Sequence, residues 1–176
     1  MEKLLKAPTW AIFIYLTASY LLFSIDLSTD PFTGSLIKAV GFILSGIYPL
    51  SLGIVLTEYL PRKLPISTTL FVINWLIWDG CMILFLILFD GQDISGTGGW
   101  IMLISLYLMF AIIHVHLFPL RILKMVKKRG DVSYGESIGM GFLLIFWPIG
   151  LWMIHPEVKM IVDTQVPTAD LPDSSK

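Results

Sequence analysis

The chain has 176 residues, 56% of them hydrophobic and only 14% charged, with a mean hydropathy of +0.80 and a net charge of −1. A soluble domain averages about 25% charged and 45–50% apolar residues. The near-neutral balance gives no basic surface for nucleic acid, and a lone Cys81 excludes a disulfide framework or a cysteine metal motif.

The apolar excess is gathered into five blocks, at about 8–27, 36–57, 66–89, 99–120 and 137–155. Each approaches the ~20 residues that cross a ~30 Å hydrocarbon core as a helix. The expected fold is therefore all-α: a polytopic transmembrane bundle with four firm spans and a fifth, Gly/Pro-broken segment. The first block opens with Lys3 and Lys6, as a secretory signal would, but TASYLLFSIDL lacks a small-x-small cleavage site, so it reads as a retained span. In the second block Ala39, Gly46 and Gly53 recur every seven residues, a small-residue stripe that lets a neighbouring helix approach, with Pro49 on the same side. The fifth block contains Gly139, Gly141, Pro148 and Gly150, and reads either as a full span or as a re-entrant segment. Residues 156–176, rich in Pro, Ser and Asp toward the end, read as a short disordered tail.

Lys and Arg set the orientation, because short cytoplasmic loops retain them. The amino end, the second connection (Arg62, Lys63) and the fourth (Arg121, Lys124, Lys127, Lys128, Arg129) hold nine of the twelve basic residues. The first and third connections, DLSTDPFTGS and DGQDISGTGG, hold none. This alternation predicts a cytoplasmic amino terminus and leaves the carboxyl terminus open. The cluster from Arg121 to Arg129 is an orientation signal and an expected contact for anionic lipid.

From Glu58 onward the stretches LPRKLPISTTLFVINW, LFPLRILK and YGESIGMGFLLIFWPIGLWMIHPEVKMIV carry a likeness. In these the chain resembles a group of small, uncharacterised multi-pass membrane proteins of Bacteroidetes that end in a P-I-G-x-W core followed by a turn. Pro148, Ile149, Gly150, Trp152 and Pro156 match that pattern, whereas His155 and Glu157 replace its amide and basic residue. The resemblance implies a bacterial inner membrane and supplies no activity.

Few polar groups lie inside the blocks. Asp79 is near the middle of the third, where an isolated carboxylate costs about 2.5–3.5 kcal/mol even on permissive insertion scales. Asn74 lies about 140° from it around a helix, so the two do not form one site by themselves. At 1.5 Å per residue, Asp79 lies roughly 18–20 Å from the cytoplasmic edge and His114, on the next block, roughly 9–13 Å. The expected polar site is thus Asp79 with His114 and Asn74, either a proton relay or a packing contact. His116 points away from His114. Glu136 opens the fifth block, where a carboxylate suits a helix N-terminus or could pair with the Lys127–Arg129 cluster. Asp90 and Asp93 lack the spacing of a calcium loop and read as a solvated turn.

No H-E-x-x-H, G-x-S-x-G, cysteine pair, second intramembrane Asp or phosphate loop occurs, so no enzyme, cofactor or metal template applies. Two functions remain. One is a non-enzymatic membrane subunit that packs on partner helices through the small-residue stripe. The other is a small oligomeric ion- or proton-coupled transporter or channel using Asp79 and His114.

Overall fold

The computed structural model describes residues 1–61, 63–64, 66–89, 99–165 and 167, with the side chains of 89, 141–145 and 147 excepted. The described residues form seven helices: α1 (Glu2–Leu5), α2 (Thr9–Ser24), α3 (Pro31–Thr57), α4 (Thr69–Phe89), α5 (Gly99–Lys128), α6 (Tyr134–Ile145) and α7 (Trp147–Thr164). No strand occurs among them. Arg62, Asp90 and Asp93 lie outside the described residues.

Three helices, α3, α4 and α5, are long and apolar enough to cross a membrane, while α2 is apolar but shorter at 16 residues. Helix α3 begins five residues before its apolar block because DP supplies a cap and a start. Asp30 Oδ2 accepts from Thr33 N at 2.9 Å and from the Thr33 hydroxyl at 2.6 Å, with Pro31 in the first turn. Those bonds, the hydroxyl's first, hold the Asp30 carboxyl below its ordinary value. Helix α5 runs past its apolar block to Lys128, where cations suit the carbonyl end of a helix. Arg129 (φ 50) and Gly130 then turn the chain.

Helix α3 is the central element, packing on α1, α2, α4, α5 and α7. Its most apolar window is 56% buried, against 22% for α4 and for α5. The amino half of α5 turns Trp100, Met102, Leu103 and Met109 outward. Helices with apolar side chains on their outer surface are stable in lipid and would be a liability in water.

Glycines bring α3 against its neighbours. A Cβ at Gly41 would meet the backbone of Phe23 and Ser19 at 2.6 and 2.7 Å, so α2 crosses α3 at backbone contact there. The α3 stripe is spent within the chain. Gly53 receives the ring of Phe71, which is fully buried and stacked on Phe118 at 4.6 Å. Gly46 faces Asp79 and Trp75, and Ala39 is buried. This corrects the reading of Ala39, Gly46 and Gly53 as a face offered to a partner.

The fifth apolar block is two helices rather than one. The chain breaks at Phe146 (φ −91, ψ 54), and Pro148, which has no N–H to continue α6, sits in the first turn of α7. Helix α6 starts beside the end of α5, where Lys124 Nζ donates to Glu136 O and Lys128 pairs with the Glu136 carboxylate. Helix α7 ends beside the amino terminus: Lys159 Nζ donates to Lys6 O at 2.6 Å, and Lys127 pairs with Glu157 at 2.9 Å. Both ends of the hairpin therefore lie at the same end of the bundle, so the block folds back on itself and is not one continuous helix. Helix α7 also continues through Pro156 to Thr164, correcting the tail boundary placed at 156. Residues 168–176 lie outside the described residues.

Candidate functional site

Asn74 lies five residues into α4, about 7.5 Å along its axis, and is fully buried. His114 meets it from α5. Asn74 Nδ2 donates to His114 Nδ1 at 3.0 Å, and Tyr107 Oη donates to Asn74 Oδ1 at 2.8 Å. With Nδ1 accepting, the neutral imidazole carries its proton on Nε2, which donates to Tyr134 Oη at 3.2 Å. Phe110 stacks on the imidazole at 5.8 Å, and the Arg121 guanidinium lies 4.6 Å from the Tyr134 ring. Arg121 is itself held by Val132 O at 2.6 Å and Asp131 at 3.1 Å. The result is a one-directional chain of hydrogen bonds, Tyr107 to Asn74 to His114 to Tyr134, that ties α4, α5 and α6 together. Asn74 and His114 have their polar atoms engaged.

A second brace holds α7. His155, fully buried, donates from Nε2 to Ala7 O at 2.9 Å; Nδ1 must then accept, and Tyr48 Oη donates to it at 3.1 Å. One imidazole thus joins α7 to α3 and to the chain entering α2. Trp152 packs against Phe13 at 6.0 Å on the same side. Of the terminal motif, Glu136 pairs with Lys128 and sits in the first turn of α6 as expected. Gly150 is buried, and Pro148 and Pro156 are exposed. The buried anchor of this segment is His155, which is not among the motif residues.

Asp79 stands apart from both braces. Its residue is 4% exposed, yet both carboxylate oxygens are buried without a hydrogen-bond partner. The carboxylate is directed at α3, where a Cβ on Gly46 would lie 2.9 and 3.0 Å from its oxygens. It borders a cavity of about 320 Å³ between α2, α3, α4 and α5, whose wall includes Tyr20, Phe42, Tyr48, Trp75, Trp78 and His116. The expected pairing of Asp79 with His114 is therefore not formed. Asn74 takes that histidine because it sits about 7.5 Å lower on the same helix, at the depth of His114, and faces α5.

The histidine on the cavity wall is His116. Its Nδ1 donates to Ile112 O at 2.8 Å, which leaves Nε2 as the acceptor. Several other polar groups on the wall are occupied. Trp75 Nε1 donates to Gly46 O at 3.0 Å, the Ser45 hydroxyl to Phe42 O at 2.7 Å, and Tyr48 to His155. In the sequence, Trp75 shares a helix face with Asp79 and His116 is set apart only as pointing away from His114, whereas Tyr48 and Trp78 carry no signal, because aromatic residues in an apolar block read as core. Tyr107 and Tyr134 give no signal either: Tyr107 reads as one more aromatic residue of the fourth block, and Tyr134 precedes the fifth.

No cluster of three or more His, Cys, Asp or Glu side chains that could hold a metal ion occurs among the described residues. Chemically, the cavity offers one carboxylate in an aromatic, largely apolar enclosure. No family model, curated protein or solved structure matches the chain.

Proposed function

We propose that this chain is a multi-pass integral membrane protein of a bacterial inner membrane, a non-enzymatic bundle that takes a small solute into the Asp79 cavity. In that reading it works as an ion- or proton-coupled transporter or channel component. The observation that carries it is the carboxylate of Asp79, buried with no partner on either oxygen and bordering a cavity. An intramembrane ionisable group that only fastened helices would be expected to be paired, as His114 and His155 are. His116 replaces His114 as the histidine of the site. The amino terminus is cytoplasmic, by the excess of Lys and Arg at that end, and the carboxyl-terminal hairpin shares that side. Four of the five cations from Arg121 to Arg129 have partners within the chain, so anionic-lipid contact there falls mainly to Arg129.

The test is flux in proteoliposomes under an imposed pH gradient. Wild type should carry a pH-dependent flux that Asp79→Asn abolishes without loss of expression. Flux absent from wild type, or untouched in the variant, would sink the transport reading.

A second reading, a membrane subunit that packs on partner helices, is favoured by the outward apolar face of α5 from Trp100 to Phe110. Purification in mild detergent tests it: a stable hetero-complex supports this reading, and a lone monomer removes it.

A further inference from the structure

We infer that the Asp79 cavity is a site for a lipophilic organic monocation, an amine or quaternary ammonium carrying an apolar body. This rests on the reading of the cavity as a solute site and names what enters it.

The charge of the ligand follows from what the wall offers. Among the described residues, Asp79 is the only carboxylate in the cavity wall, and no Lys or Arg borders it to neutralise that carboxylate or to attract an anion. A neutral polar solute would need hydrogen-bond partners. Yet Ser45, Trp75 and Tyr48 have spent theirs on Phe42 O, Gly46 O and His155, which leaves the Tyr20 hydroxyl and the Trp78 indole beside the carboxylate and one imidazole nitrogen, and of these the carboxylate is the group with which a cation would pair. A bare metal ion needs four or more ligands, and one carboxylate with one imidazole does not supply them. What remains is a cation whose charge is satisfied by a single carboxylate and by aromatic faces.

Those faces are present. Phe42 packs with Trp78 at 6.1 Å and with Phe23 at 5.7 Å, forming an aromatic wall, and Trp75 and Tyr20 line the same space. Aromatic rings attract a desolvated cation through their quadrupole, Trp most strongly, and such enclosures suit quaternary ammonium groups. The size agrees: about 320 Å³ lies at the small end of the ~300–1,000 Å³ range of small-molecule pockets. The apolar body follows from the route. Tyr20 borders the cavity and is 53% exposed on the outer surface of α2, so the space reaches the face that lipid would cover. A ligand that partitions into the bilayer arrives at that opening.

The experiment uses the full-length protein in nanodiscs at neutral pH. Benzyltrimethylammonium is titrated while tryptophan emission and heat are followed, since Trp75 and Trp78 line the site. Its uncharged carbon isostere, neopentylbenzene, and the anion phenylacetate are titrated alongside. The cation should bind saturably and quench emission, and the other two should not. Asp79→Asn should weaken the cation by at least about tenfold, because a charge partner is lost. Trp78→Leu should weaken it by about three- to fivefold. Wild type alone decides the charge preference, so the result does not depend on the variants folding. Neopentylbenzene or phenylacetate binding as tightly as the cation would overturn the cation assignment while leaving the cavity as a solute site. Cation binding unchanged in Asp79→Asn would also overturn it. Saturable binding of none of the three would remove both the assignment and the cavity reading.

Discussion

His114 and Asp79 sit on neighbouring helices of one bundle, both buried, and they are opposite in kind. Both nitrogens of His114 are engaged, by Asn74 and Tyr134, whereas neither oxygen of Asp79 has a partner. A buried polar group with its bonds closed contributes specificity to the packing and little net energy. One left open costs the desolvation it never recovers. The first kind fastens α4 to α5 and α6. The second kind is destabilising unless something enters the cavity to meet it. The contrast separates the polar groups that fasten these helices from Asp79, whose two oxygens are left open.

The largest effect should come from breaking the closed network. Asn74→Leu leaves His114 Nδ1 and the Tyr107 hydroxyl without partners, so the midpoint of thermal unfolding in detergent should fall, by about 2 kcal/mol of stability. Measured intramembrane hydrogen bonds average nearer 0.6 kcal/mol each, which sets the lower bound for the loss of two at about 1 kcal/mol. Asp79→Asn should do the reverse or nothing, keeping the midpoint or raising stability by up to about 1 kcal/mol, because an ionisable group is removed from an apolar wall and no bond is broken. A fall in the Asp79 variant as large as that in the Asn74 variant would erase the distinction between the two regions.

The smallest effect belongs to the surface pair Lys128–Glu136. The hydrogen bond and charge of Lys128 hold the exposed Glu136 carboxyl below its ordinary value of 4.5. A group whose folded pKa is depressed adds stability above its unfolded pKa and loses it as pH falls through the folded one. Wild type should therefore melt slightly above Glu136→Gln at neutral pH. The two curves should converge as pH drops below about 4.5, and added salt should shrink the gap at neutral pH. A gap that persists in acid would assign Glu136 a role other than this ion pair.

Much of the architecture was legible because lipid imposes a strong, local pattern. Apolar blocks correspond to α2 through α5. The fifth block was harder, since a Gly/Pro-rich stretch of that length serves a span or a hairpin equally well. His155 on Tyr48 and Ala7, together with Lys159 on Lys6, holds α7 back against α3 and the amino end, and those contacts join residues far apart in the chain. The small-residue stripe was read correctly as a place of close approach and wrongly as an outward face. Periodicity reveals that a face packs, and is silent on whether its neighbour belongs to the same chain.

The candidate site shows the same division. Composition and position alone determined that Asp79 is the costly residue, because an ionisable group inside an apolar block costs energy whatever surrounds it. Depth arithmetic even held the correct partner for His114, since Asn74 lies one and a half turns below Asp79. Only the tertiary structure decided that Asn74 takes the histidine and that Asp79 is left facing Gly46 and an aromatic cavity. Helix rotation and the meeting of four separate helices set those contacts, and neither is a property of any one segment.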